Sequence, residues 1–160
     1  MVIQELPKQL FPLQIIIPVM AAGMIAFGVI TSVLTPVGKP EAIADLTNIL
    51  LLVLALLAAS EIPAFFIVRM GRIAKLRKTL SDRKPEECLK PIAATYLQIT
   101  LIGAAMAEGI GLFGIVIVLI TGNWLVGLAP LLALLVLVML FPRLGAFQSF
   151  ASNATGRYGM

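Results

Sequence analysis

Two carboxyls stand inside long apolar runs of this chain. Glu108 lies in AAMAEGIGLFGIVIVLI, and Glu61 lies in LLAASEIPAFF, two residues before Pro63. A charged acid at the centre of a bilayer costs about 2.5–3.5 kcal/mol on insertion scales, so both are expected to face protein or water rather than lipid. Two kinds of work suit such a group. It can bind a transported proton or ion, or it can hydrogen-bond a neighbouring helix, a contact worth about 1–2 kcal/mol at most. Pro63 leaves the carbonyl of Ala59 without its helical donor, so Ser60 and Glu61 are expected to share a small polar pocket at a kink. Pro18 and Pro130 are expected to free the carbonyls of Gln14 and Val126 in the same way. Along a helix, Glu108, Ala104, Thr100 and Tyr96 share one face at i−4 steps, a line suited to carrying a proton or ion. The candidate ion- or proton-binding set is therefore Glu108, Glu61, Thr100 and Ser60. Glu61 is placed nearer the cytoplasmic end of its run than Glu108, and no direct pair is expected.

Other chemistry has little to work with. There is no histidine and one cysteine, Cys88. That removes the commonest general base near neutral pH, any intrachain disulfide and any Cys-rich metal site. No Walker motif, nucleotide fingerprint, nucleophile elbow or zinc spacing occurs. The seven Met residues are scattered and read as packing. The expectation is a non-enzymatic protein with no metal and no cofactor, bound lipid aside. Nucleic acid is not expected as a partner, because the basic cluster is short and lacks aromatics.

The elements that must carry the two acids are apolar helices. Of 160 residues, 60% are hydrophobic and 12% charged, an excess no single soluble core of this size absorbs. Four runs cover about 12–34, 46–68, 93–120 and 124–141, each long enough at about 1.5 Å per residue to cross a bilayer. The first exceeds the apolar stretch of a signal peptide and is read as an anchor. Thr121-Gly122-Asn123 reads as a tight turn between the last two runs. The fold expected is all-α, a single polytopic domain over 1–160 with four transmembrane helices as two tandem hairpins. Little chain is left for a soluble fold.

Basic residues set the orientation. Arg69, Arg72, Lys75, Arg77, Lys78, Arg83, Lys84 and Lys90 fall between runs two and three, Lys8 precedes run one, and Arg143 and Arg157 follow run four. The two remaining connectors hold only Lys39. The positive-inside rule then puts both termini and the 69–91 loop in the cytoplasm, with Trp124 at the outer interface. A bacterial inner membrane is the expected location. Within that loop RMGRIAKLRKTLS has Ile73, Leu76 and Leu80 on one helical face. It reads as a solvated loop lying against the membrane; the alternative is a short helix on the inner leaflet. Arg69, Arg72, Lys75, Arg77 and Lys78 would form its basic surface. Residues 143–160 are read as a tail, ordered only if something packs on it.

Runs one and three look like copies of one another. MAAGMIAFGVITSVLT, from Met20, aligns without gaps with MAEGIGLFGIVIVLIT, from Met106, matching at six of sixteen positions. Both would run from inside to outside, as a parallel duplication requires. Glu108 falls opposite Ala22. Small residues form ridges on both runs: Gly103, Ala107, Gly111 and Gly114 on the third, Gly23 and Gly28 on the first. Such ridges let another helix backbone approach closely.

The stretch AAMAEGIGLFGIVIVLI resembles the carboxylate-bearing helix of rotary ATPase proteolipids, the c-type ring subunits, and SDRKPEE resembles their basic, Pro-containing loop. That resemblance implies a proton-binding role for Glu108. Run two departs from it: LLLVLALLAASEIPAFF has no glycine, where those hairpins have a Gly-rich helix. The whole pattern resembles uncharacterised small four-helix bacterial membrane proteins, which implies no activity. The reading preferred is association in the membrane, as a homo-oligomer or as an accessory subunit of a larger complex. The alternative is a small proton- or ion-translocating subunit or transporter using Glu108.

Overall fold

The computed structural model describes residues 7–34, 44–80 and 87–155, all-helical apart from short turns. Three long helices carry the chain: α1 (Phe11–Leu34), α2 (Ala44–Leu80) and α3 (Leu89–Thr121). A short 3-10 turn at Trp124–Gly127 leads into α4 (Leu128–Leu140), and α5 (Leu144–Thr155) follows. Three helices are long and apolar enough to cross a membrane. The bent pair Trp124–Leu140 and Leu144–Thr155, at 72° to each other, makes a fourth if counted as one span. The helices are thus compatible with an integral membrane protein.

α3 is the centre of the bundle. It packs on α1, α2, α4 and α5, and its most apolar stretch is 44% buried against 17% in α1 and 6% in α2. The reason is its small-residue side. A Cβ on Gly111 would fall 2.8 Å from the Cβ of Ala133 on α4, and one on Gly114 would fall 2.9 Å from that of Ala129. Backbones approach this closely only where side chains are missing. The turn joining α3 to α4 forms as its sequence predicts. Gly122 takes φ 69°, a left-handed conformation open to glycine, and its N–H donates to the Val118 carbonyl at 2.8 Å. The Asn123 side chain then accepts from the Leu125 N–H at 3.1 Å.

Four features differ from the sequence reading. First, the expected pair of tandem hairpins is only half built. α3 and α4 pack closely, but α1 and α2 make at most marginal contact, because α3 lies between them. Second, α2 runs unbroken through the basic segment to Leu80, where a solvated loop was preferred. Its 37 residues reach about 55 Å at 1.5 Å per residue. Leu76 is 4% exposed, so tertiary packing stabilises what the charges alone would leave loose. Third, the expected tail is helix α5, held by Phe147, fully buried, with Ala151 and Ala154. Phe147, Phe150, Ala151 and Ala154 follow i, i+3, i+4, i+7, one face of a helix. Fourth, Pro130 frees no carbonyl. It sits in the first turn of α4, where its missing N–H has no helical partner to lose, and the Leu128 N–H donates to the carbonyls of Leu125 and Val126.

The end of α2, the start of α3 and all of α5 form a cap at one end of the bundle. Tyr96 of α3 meets Phe147 and Phe150 of α5 edge to face, with ring centroids 5.4 and 5.3 Å apart. Arg77 of α2 donates to the Asn153 carbonyl at 3.0 Å. Leu76, Leu80, Cys88 and Ile92 complete this core, with Leu10 and Leu13 from the start of α1. The chain therefore builds a small helical cap where a bare loop and tail were expected.

Candidate functional site

Contacts between α2 and α3 fix where the two acids stand. The helices run antiparallel. Phe65 of α2 lies against Gly103 of α3, where an added Cβ would meet its ring at 2.9 Å. Arg72 Nη1 donates to Gln98 Oε1 at 2.6 Å. Moving four residues back from Phe65 and five forward from Gly103 brings Glu61 and Glu108 to one level of the bundle. Glu61 is thus not nearer the basic end than Glu108, as the run boundaries suggested.

Equal level does not make them a pair. Glu61 falls on the stripe of α2 that carries Leu50, Leu54 and Phe65, which packs on α3. Glu108 shares the face of α3 that carries Gly111 and Ile115, at i, i+3, i+7. That face meets α1: a Cβ on Gly111 would clash with Met24, and one on Gly28 would touch Ile115 at 4.0 Å. The two carboxyls therefore sit on the two flanks of α3.

Neither acid has a partner among the described residues. Glu61 Oε2 is sealed from solvent and accepts or donates no hydrogen bond. Glu108 is half-buried and makes no hydrogen bond or ion pair there. The shared pocket of Ser60 and Glu61 does not form. Ser60 is exposed and donates to the Leu57 carbonyl of its own helix at 2.8 Å. Adjacent residues on a helix point about 100° apart, and only Glu61 reaches the α3 side.

The line from Glu108 along α3 is packed shut. Ala104 is fully buried and Thr100 is 4% exposed. A side-chain hydrogen bond links Tyr96 to Thr100. Between Glu108 and Thr100, eight residues or about 12 Å of helix, this face offers only Ala104. Thr100 and Tyr96 belong to the core that holds the cap.

The small residues divide sharply. Gly103, Ala107, Gly111 and Gly114 are all buried and are used up within the chain. Gly23 is exposed with nothing within 4 Å of an added Cβ, and Gly28 has only the Ile115 contact. Beyond Gln98, which Arg72 reaches, the flank of α3 turned away from α4 is bare among the described residues. Ala94, Gln98, Ala105 and Gly109 are exposed along it, and an added Cβ on Gly109 would meet nothing. Glu108 borders this flank. A run search for acids finds Glu61 and Glu108, but nothing in a single sequence shows which flank of α3 stays open.

The two runs that align in sequence also lie side by side. Met24 lies beside Gly111 and Gly28 beside Ile115, so α1 and α3 run parallel. This register matches the alignment of Met20 with Met106 to within one residue. Positions that the alignment pairs therefore sit at nearly the same level.

The basic residues Arg69, Arg72, Lys75, Arg77 and Lys78 are all exposed on the last turns of α2. Among the described residues, no group of three or more His, Cys, Asp or Glu gathers in a way that could hold a metal. Comparison with protein-family models, with curated proteins and with solved structures gives no match.

Proposed function

We propose that this chain is a non-enzymatic membrane protein that works by associating with other transmembrane helices, as a homo-oligomer or as an accessory subunit. It crosses the bilayer four times, with both termini, the basic end of α2 and the cap in the cytoplasm. The bundle supports that placement. Arg69 on α2, Gln98 and Leu101 on α3, and Arg143 just after α4 mark one boundary between apolar and polar chain. Beyond it, α3 has 21 residues to Thr121, about 31 Å, against a hydrocarbon core of about 30 Å.

One observation carries the association reading. Glu61 and Glu108 stand at one level inside the apolar zone, and neither has a hydrogen-bonding partner in the described chain. Acids within a membrane pair with protein groups or with water. A donor from another helix on the bare flank of α3 answers that need at Glu108, which borders that flank. The ridge on α3 no longer argues for association, since α4, α1 and Phe65 already fill it.

The test is the size of the native complex, extracted in mild detergent, for wild type and for Glu61→Ala and Glu108→Ala. Association through these groups predicts a complex larger than one chain that the Ala variants weaken and the Gln variants largely keep, since Gln still hydrogen-bonds. Proton or ion translocation through Glu108 is the second reading, supported by the same partnerless carboxyl. It predicts flux that Glu108→Gln abolishes while the complex survives. The buried Ala104 between Glu108 and Thr100 weighs against it.

A further inference from the structure

We infer that the cytoplasmic rim of the α2–α3 seam is a binding site for the phosphate of an anionic phospholipid, with Arg72 and Arg69 as its ligands. The inference rests on the membrane placement proposed above and not on the association reading. The rim lies ten residues of α3, about 15 Å, below Glu108.

The site follows from the continuation of α2. A loose loop would spread its basic residues over the leaflet, but an unbroken helix fixes each at a set height. Arg69 and Arg72 fall at the apolar–polar boundary, where phosphates lie. Lys78 is about two turns of helix further out. Arg69 and Arg72 are three residues apart, so both side chains are on neighbouring positions of one helix face. Both are exposed.

Arg72 is also oriented. Its Nη1 donates to Gln98 Oε1 at 2.6 Å, which ties one arm of the guanidinium to α3. A guanidinium has five N–H donors in a rigid fork, so the remaining edge can grip two phosphate oxygens. The Gln98 side chain has its own amide N–H₂ to offer beside it. No acidic side chain lies on these turns of α2, from Arg69 to Leu80, so the field there is cationic. Above the rim, Phe66, Ile67 and Val68 are exposed and apolar, and suit the acyl chains of the same lipid. The zwitterionic phosphocholine group offers the same phosphate without net charge, so charge selectivity is a consequence of the proposal.

The experiment is native mass spectrometry of the full-length protein released from mild detergent, titrated with phosphatidylglycerol, with phosphatidylcholine and with inorganic phosphate. Each arginine near a membrane surface contributes about fivefold in affinity for anionic lipid, so Arg69→Gln with Arg72→Gln should weaken phosphatidylglycerol binding roughly 25-fold. Lys78→Gln should leave it within about twofold. Arg72→Lys keeps the charge but loses the fork, and should recover only part of the binding. Wild type should retain phosphatidylglycerol in preference to phosphatidylcholine, and millimolar phosphate should not displace it. Equal retention of both lipids by wild type overturns the proposal without recourse to any variant. So does full displacement by inorganic phosphate, which would mark a free-anion site. An equal loss on Lys78→Gln would reveal a diffuse charge effect and overturn it as well.

Discussion

Phe65 of α2 occupies the space that a side chain on Gly103 of α3 would need, with its ring 2.9 Å from the position of the missing Cβ. That contact sets the register of two antiparallel helices. It brings Glu61 and Glu108 to one level on the two flanks of α3. Among the described residues neither carboxyl has a hydrogen-bonding partner, and the proposal of an associating membrane protein rests on that.

Glycines of α1 and α3 should respond differently to the same change. Gly111→Ala and Gly114→Ala put a methyl within 3 Å of α4 carbon atoms tied to the backbone, Ala133 Cβ and Ala129 Cβ. Each should lower stability by about 1–3 kcal/mol, the usual cost of overpacking. Gly23→Ala meets open space and should stay within about 0.5 kcal/mol. Thermal unfolding in detergent, followed by the fluorescence of Trp124, measures all three. A Gly23→Ala loss equal to that of Gly111→Ala would mean that α1 uses this face.

α5 should behave as part of the folded chain. Phe147 is fully buried against Tyr96, so Phe147→Ala should cost about 3–5 kcal/mol, in the range for large core aromatics. Ala146→Ser, on the exposed side, should have little effect. A neutral Phe147→Ala would show that α5 detaches without consequence.

Topology can be read by thiol labelling. Cys88 is buried, which keeps the native background low. With Cys88→Ala as the parent, Ser149→Cys on the exposed face of α5 should react with an impermeant maleimide only when the cytoplasmic side is open. Leu125→Cys, 77% exposed in the native chain, should react from the opposite side. Labelling of both from the same side would contradict four crossings.

Much of this fold is legible in the sequence. The long helices are plain because their runs are apolar and nearly free of charge. The Thr121-Gly122-Asn123 turn is legible because glycine permits the left-handed residue that ends α3. The rest turns on tertiary contacts. Ile73, Leu76 and Leu80 show helical spacing, but the many charges around them suggest a loop until α5 and α3 bury Leu76. Phe147, Phe150, Ala151 and Ala154 give α5 the same signal, masked by the Ser and Asn residues between them. The position of α3 between α1 and α2 has no local signature. Residues 35–43, with Lys39, lie outside the described residues.

The candidate site was half legible. Glu61 and Glu108 stand out because charge is scarce in apolar runs. Their common level and separate flanks depend on the Phe65–Gly103 contact, which composition cannot reveal. The Ser60–Glu61 pocket failed for a local reason. Ser60 bonds its own helix, and neighbouring residues point in different directions.

Substitution of the two acids together gives a further separation. Glu61→Gln with Glu108→Gln should keep most of the complex, while Glu61→Ala with Glu108→Ala should dissociate it. Loss of one donor–acceptor pair within a membrane is worth about 1–2 kcal/mol at most, so each single Ala should weaken association by roughly five- to thirtyfold. Chemical cross-linking across a dilution series in detergent reads that shift.

The most direct test of the account is the mass of the complex drawn from its own membrane in mild detergent at native expression. The account predicts a particle heavier than one chain, reduced toward a single chain by Glu61→Ala with Glu108→Ala. A wild-type particle of one chain, or a larger one that the double substitution leaves unchanged, would contradict it.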